Sequence, residues 1–110
     1  MAETLAPTMS VLYLLVDIRV LFGYVKAVET LVDDLIGVTA LFSGGKILPQ
    51  SFIWKGKVYS IIRVEFSYER REGITRQIYF AVTAGAATYE LVFNTITFVW
   101  RIARVYLPGD

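Results

Sequence analysis

Residues 62–69, Ile-Arg-Val-Glu-Phe-Ser-Tyr-Glu, decide the fold, because apolar and polar side chains alternate along them without a break. A period of two residues places the two kinds of side chain on opposite faces of a β-strand. The polar segment Glu-Arg-Arg-Glu-Gly follows at 69–73 and contains a glycine, which predicts a turn. The stretch therefore predicts a half-buried strand followed by a hairpin, as in an antiparallel sheet.

The same period marks four further strands in a β meander over 51–107. Upstream of residue 62, a short strand ends at Trp54, and Gly56 turns the chain. Downstream, two strands are separated by Ala-Gly-Ala-Ala at 84–87, and a long strand covers 96–106. Five such strands are expected to form a curled antiparallel sheet or a small SH3-like barrel, because closure limits exposed edges. The apolar positions that mark the first four strands are Phe52, Trp54, Ile62, Val64, Phe66, Tyr68, Ile78, Phe80, Val82, Tyr89, Leu91 and Phe93.

A different spacing precedes the meander. Between residues 24 and 38, apolar side chains recur every three or four positions with charged residues between them, and Gly23 and Gly37 bracket the segment. This spacing is typical of an amphipathic helix. The sequence therefore predicts an α+β fold, mainly β, in which one helix over 24–38 covers an open end of the sheet. The apolar stripe of that helix is Tyr24, Val28, Leu31, Leu35 and Val38.

Residues 11–22, Val-Leu-Tyr-Leu-Leu-Val-Asp-Ile-Arg-Val-Leu-Phe, fit either a strand or a buried helix. The alternation around Asp17 and Arg19 favours the strand. A membrane-spanning helix needs about 20 mostly uncharged residues, and these two charges interrupt the run. The first ten residues lack the positive segment of a signal peptide. We expect a flexible leader over 1–10, one domain over 1–110, no membrane span and a cytoplasmic location.

The composition excludes several classes of enzyme. The chain has no cysteine and no histidine, which removes thiolate nucleophiles, Ser-His-Asp catalysis and the commonest zinc ligands. Glu29 and Asp33 share a face of the predicted helix, but solvated carboxylates explain them better than a general base does. Ser-Gly-Gly-Lys at 43–46 lacks the spacing of a phosphate-binding loop. We therefore expect a protein that is not an enzyme, with no metal and no cofactor.

Four segments carry a resemblance to a known family. They are Ser-Phe-Ile-Trp-Lys-Gly-Lys-Val-Tyr at 51–59, Tyr-Phe-Ala-Val at 79–82, Tyr-Glu-Leu-Val-Phe at 89–93 and Trp-Arg-Ile-Ala-Arg-Val-Tyr at 100–106. Over 51–107 the chain resembles an uncharacterised bacterial family of small β proteins. The resemblance implies a β fold and implies that the helix at 24–38 is an insertion or an added element. It supplies no function.

Basic residues gather at the predicted hairpin tips, in the C-terminal part of the chain. Cations contact phosphates, and aromatic rings beside them stack on unpaired bases. Tyr79 is out of phase with Ile78 and Phe80, so its ring is expected to point away from the core. These features predict a small interaction module that binds single-stranded nucleic acid. The predicted contacts are Lys55, Lys57, Arg70, Arg71, Arg76 and Tyr79.

Other interpretations stay open. The aromatic alternation favours Trp54 and Tyr59 as core residues, with the cations as solvated turns. Apolar residues make up 55% of the chain, more than one small core readily hides, so a structural homo-oligomer is expected to use the surplus as an interface. The simplest form is a homodimer, formed either at the sheet face or through residues 11–22. Alternatively, a pocket between helix and sheet binds a small apolar ligand.

Overall fold

The computed structural model describes residues 27–108, which form one open, seven-stranded antiparallel sheet. The strands are β1 (Ala27–Ser43), β2 (Lys46–Trp54), β3 (Lys57–Ser60), β4 (Arg63–Glu72), β5 (Thr75–Ala84), β6 (Ala87–Asn94) and β7 (Trp100–Pro108). Across the sheet they lie in the order β3, β2, β1, β7, β6, β5, β4. Within the described part there is no helix with the length and hydropathy that a membrane crossing requires. The predictions for 1–10 and 11–22 lie outside the described residues.

The prediction of a helix over 24–38 is wrong, because every described residue of that segment belongs to β1. Side chains of β1 alternate between two faces: Val32 and Val38 pack against the core, whereas Leu31 and Leu35 are exposed on the other side. β1 is also hydrogen-bonded to a neighbouring strand over most of its length. The fold is therefore all-β with seven strands, which corrects the predicted α+β class with five strands and one helix.

A spacing of four residues explains this error. Leu31 and Leu35 share a face of a helix, but positions four apart also share a face of a strand, since four is a multiple of two. Between them and beyond them the segment is rich in valine, isoleucine and threonine, which favour extended backbone. Long-range pairing with β2 and β7 then selects the strand.

β1 joins two parts of the sheet. Residues 27–36 pair with β7, whereas residues 37–43 pair with β2. The register shifts once in each part, between Leu31 and Asp34 and between Thr39 and Ala40. Register shifts of this kind are β-bulges, which bend a strand and increase its twist. Because β1 bends, the β2–β3 hairpin lies over the other strands of the sheet.

The sheet folds over so that one of its faces encloses the core. The ring of Phe52 on β2 lies 5.0 Å from the ring of Tyr89 on β6, although β1 and β7 separate those strands in the sheet. The connection between β3 and β4 links β2 to β5 at one end of the fold. Its successive amides, Ile61 and Ile62, donate to backbone carbonyls of β2 and β5 at 3.0 and 2.7 Å. The buried residues of this core are Phe52, Phe80, Val82, Ala84, Ala87, Tyr89, Leu91, Phe93, Trp100, Ile102 and Val105.

The strand predicted over 96–106 begins later, at Trp100. The side-chain oxygen of Asn94 accepts hydrogen bonds from the amides of Ile96 and Thr97 at 2.8 and 3.1 Å. Phe98 has a φ of 61°, a left-handed conformation that an extended strand excludes. The residues before Trp100 therefore form the turn between β6 and β7.

Candidate interaction surfaces

The segment Trp-Lys-Gly-Lys at 54–57 forms the tight turn between β2 and β3. Its two central residues, Lys55 and Gly56, have φ values of 52° and 75°, and positive φ at both positions is the conformation of a type I′ hairpin turn. Lys55, Gly56 and Lys57 are all exposed. The turn therefore presents two cations at one end of a hairpin.

The predicted nucleic-acid contacts fall at two ends of the sheet. Lys57 lines the same cleft as Ala84 and Gly85, where β5 ends and the chain turns into β6. Arg76 is the second residue of β5, and the extended chain between it and Ala84 spans roughly 26 Å at about 3.3 Å per residue. The structure therefore does not bring Lys55 and Lys57 together with the three arginines.

The aromatic rings beside these cations are covered. Tyr79 stacks on Tyr68 with ring centroids 4.8 Å apart, and the guanidinium of Arg70 lies over the Tyr79 ring, 5.8 Å from its centroid. In the same way Tyr59 stacks on a buried ring of β2 at 4.8 Å, and the ammonium of Lys57 lies 5.2 Å over its centroid. Each ring therefore already contacts a stacked ring and a cation, which leaves less of its surface for a base.

Carboxylates offset part of the arginine charge. Arg76 donates from Nε to Oε2 of Glu69 at 2.6 Å, and a guanidinium nitrogen of Arg70 lies 3.8 Å from a carboxylate oxygen of Glu72. Arg71 faces Arg76 across the β4–β5 pair. Two of the three predicted guanidinium groups thus have acidic partners, which weakens the positive field that would attract phosphates.

A different surface lies on the outer face of β1, β2 and β3. Leu35, Ile53 and Val58 are 64%, 52% and 62% exposed. Gly37 pairs with Ile53, which in turn pairs with Val58, and directly paired residues share a face of the sheet. Leu35 lies two residues before Gly37 and so shares that face as well. We call Leu35, Gly37, Ile53 and Val58 the outer patch.

Gly37 leaves a depression at the centre of the outer patch. No heavy atom lies within 4 Å of the place that a β-carbon would occupy there. The φ of Gly37 is outside the left-handed region, so backbone strain does not demand a glycine, and strands normally favour β-branched residues at such positions. What the glycine provides is open space between three aliphatic side chains.

The outer patch has an apolar extension and a charged border. The extension is the half-exposed pair Leu41 and Leu48 on β1 and β2, which the polar Thr39–Ser51 pair separates from Gly37 and Ile53. Beside Leu35, Asp33 and Arg101 form an exposed ion pair with an N–O distance of 2.8 Å. An apolar centre with polar groups at its border is the usual organisation of a protein–protein interface.

The outer patch is absent from the predicted sites, although the alternation of side chains along β2 and β3 indicates it. Ile53 lies between Phe52, which is buried, and Trp54, whose indole N–H donates to Asp34 at 2.9 Å. In a strand the residue between two inward side chains points outward. In the same way, Val58 points to the face that Tyr59 does not. Ile53 and Val58 could therefore have been assigned to an exposed face from the sequence.

The outer face of β6 and β7 holds a buried carboxylate. Glu90 is 5% exposed, and its Oε2 accepts a hydrogen bond from the Tyr68 hydroxyl at 3.1 Å. Nε of Arg104 lies 3.5 Å from Oε1 of Glu90, and Nη1 of Arg104 donates to Glu29 at 3.0 Å. Burial raises the pKa of the Glu90 carboxyl, whereas Arg104 and the Tyr68 hydroxyl lower it. The cluster links β1, β4, β6 and β7, which is a structural role.

An open cleft of about 550 Å³ lies between the β1–β2 turn and the β4–β5 hairpin. Its lining combines the charged Lys46, Glu69 and Arg76 with the apolar Ile47, Ile78 and Phe80. This cleft is formed by strands alone, since no helix occurs in residues 27–108, so the predicted pocket between helix and sheet is absent from that part. The lining residues are Gly45, Lys46, Ile47, Ser67, Glu69, Arg76, Ile78, Phe80 and Thr95.

Among the described residues, no group of three or more acidic, cysteine or histidine side chains is placed to hold a metal ion. The chain matches no family model, no curated protein and no solved structure. The resemblance to the small β family over 51–107 therefore stays a prediction. Function has to be inferred from the surfaces that the fold presents.

Proposed function

We propose that the protein is a non-enzymatic interaction module that associates with a second copy of itself through the outer patch. The observation that supports this proposal is the group of three large aliphatic side chains, each more than half exposed, around the open depression at Gly37. Contiguous apolar surface of this kind is uncommon on monomers and marks interaction sites.

The outer patch is self-complementary. In a two-fold dimer every contact occurs twice, so Leu35 of each copy can fill the depression at Gly37 of the other. The border fits the same symmetry, because Asp33 and Arg101 carry opposite charges and are exposed. Asp33 of one copy can therefore approach Arg101 of the other, and the two opposite charges attract.

The expected affinity is modest. Burying one exposed aliphatic side chain contributes about 1.5 to 3 kcal/mol, and the side chains of the patch and of its Leu41–Leu48 extension are about half to two-thirds exposed. Five such side chains from each copy contribute roughly 8 to 17 kcal/mol before the cost of association, which is about 4 to 15 kcal/mol. The upper part of this gain exceeds an intermediate cost by about 8 kcal/mol, so we expect a dissociation constant no tighter than the micromolar range.

Sedimentation velocity between about 1 and about 100 µM protein tests the proposal. The parent protein should change from monomer to dimer across this range. Ile53→Lys should remain a monomer, because each interface would bury two uncompensated ammonium groups. Ile74→Lys is the matched control, since Ile74 is 86% exposed in the β4–β5 turn, away from the patch, and it should dimerise like the parent.

Gly37→Val separates interface from fold. The valine fits the open space and favours a strand, so the melting temperature should not fall, while its side chain fills the depression and should weaken dimerisation. A parent protein that stays monomeric at about 100 µM, or equal dimerisation of the Ile53→Lys variant, would contradict the proposal.

Homodimerisation uses the surplus of apolar residues, and we propose a cytoplasmic location for the module. Single-stranded nucleic acid stays a prediction for the hairpin tips. The separation of Lys57 from Arg76 favours, at most, two independent weak contacts instead of one continuous groove.

A further inference from the structure

The cleft beside the β1–β2 turn is bordered by two strand edges. Within residues 27–108, β4 pairs only with β5, so the other edge of its ten residues bonds to no strand. β3 pairs with residues 51–54 of β2 and leaves residues 46–49 without a strand on that side. The cleft of about 550 Å³ lies between these two edges, because Lys46 and Ile47 line one wall and Ser67 and Glu69 the other.

A strand edge presents a row of backbone N–H and C=O groups with a fixed spacing. An extended polypeptide repeats the complementary groups at the same spacing, which a small molecule does not. The connection through Ile61 and Ile62 closes the fold at one end of β4 by its bonds to β2 and β5. A strand added along β4 therefore has room only beyond this connection, where the cleft lies.

The lining sets the chemistry of the added strand. Phe80 is buried and Ile78 is half-buried beneath the cleft, so they favour an apolar side chain above them. The charges of Glu69 and Arg76 offset each other. Lys46 is exposed and has no carboxylate partner among residues 29–107, so it favours a carboxylate.

We propose that the cleft binds an extended peptide segment of a partner protein, which adds as a further strand to the edge of β4 that no strand within residues 27–108 occupies. Alternate side chains of the peptide face the cleft, since side chains of a strand point to one face every second residue. The recognised motif therefore has apolar residues at alternate positions for Ile78 and Phe80, with an acidic residue at the Lys46 end. Proline is excluded from its centre, because each proline removes a backbone donor.

A display library of random linear peptides about nine residues long, roughly the length of β4, tests this proposal. Selection on the parent protein should enrich peptides with alternating apolar residues, an acidic residue and no central proline. The enriched peptides should bind Lys46→Glu about tenfold more weakly than the parent. Lys55→Glu makes the same charge change in the β2–β3 turn, away from the cleft, and should bind like the parent.

A second comparison isolates the backbone contribution. Methylation of alternate amides in an enriched peptide keeps its side chains but removes the donors that face β4, and binding should be lost. Changing the acidic residue of the peptide to lysine should restore binding to Lys46→Glu. The proposal is overturned if no peptide is enriched, if Lys46→Glu binds as tightly as the parent, or if the methylated peptide still binds. Ile53→Lys should bind the peptide like the parent, which keeps this result independent of dimerisation.

Discussion

Replacement of Phe52 by alanine should remove a large share of the stability of the fold. Phe52 is completely buried, and its ring stacks on Tyr59 at 4.8 Å and meets Tyr89 edge to face at 5.0 Å. It thereby joins the β2–β3 hairpin to β6, two parts of the sheet that share no backbone hydrogen bonds with each other. Loss of the Phe52 ring therefore removes a contact that keeps the β2–β3 hairpin folded against β6.

The magnitude follows from these contacts. Truncation of a buried phenylalanine to alanine costs about 3 to 5 kcal/mol, and aromatic pairs add about 0.5 to 1.5 kcal/mol beyond buried area. We expect a loss of roughly 4 to 6 kcal/mol, which is a large share of the 5 to 15 kcal/mol that stabilises a typical domain. The free energy of unfolding is measured by urea titration with tryptophan fluorescence.

The two tryptophans report on the two parts of the sheet, since Trp54 lies on β2 and Trp100 on β7. In the parent protein both should follow one transition, whereas in Phe52→Ala the Trp54 signal should change at lower urea concentration. Phe98→Ala is the control, because Phe98 is 73% exposed, and it should cost less than about 1.5 kcal/mol. A loss below about 1 kcal/mol in Phe52→Ala would refute the reasoning.

Two further predictions concern charge. Because burial raises the pKa of Glu90 above its ordinary value, the folded state binds more protons between the ordinary and the raised pKa, so stability falls as the pH rises through that window. Glu90→Gln should abolish this fall in urea titrations between about pH 4 and pH 8, whereas the exposed Glu72→Gln should retain it; an unchanged slope in Glu90→Gln would contradict the assignment. The double change Lys55→Glu and Lys57→Glu should leave melting nearly unchanged and remove most affinity for a single-stranded oligonucleotide. Equal binding by the double variant, or none by the parent, would remove the nucleic-acid prediction.

How far the sequence predicts the fold depends on the ambiguity of each pattern. From residue 62 onward, strict alternation is compatible only with a strand, and β4, β5 and β6 lie where the alternation predicts them. The segment that contains Leu31 and Leu35 has a spacing that fits both a helix and a strand. The strand is selected because this segment pairs with β7, which is distant in the sequence. Local periodicity carries no information about that pairing.

The candidate site was less predictable for a similar reason. The turn at Lys55 and Gly56 follows from local residue types, and the structure places it at the end of the β2–β3 hairpin. Its distance from Arg76 depends on how the sheet folds over, which is a long-range property. The alternation of Ile53 with the buried Phe52 predicts that Ile53 is exposed. That Gly37 lies beside Ile53 can be predicted only if β1 is known to be a strand.

The pairing of β1 with β7 delays completion of the fold during synthesis. Ala27 lies opposite Pro108. β1, the first described strand, can therefore pair with β7 only after β7, the last described strand, has left the ribosome. Contacts at such separation give a high contact order and slow folding. Until then the nascent β1 carries unpaired backbone groups beside Leu31 and Leu35, a combination that promotes aggregation. We expect its production in cells to depend on chaperones that hold this segment until β7 has emerged from the ribosome.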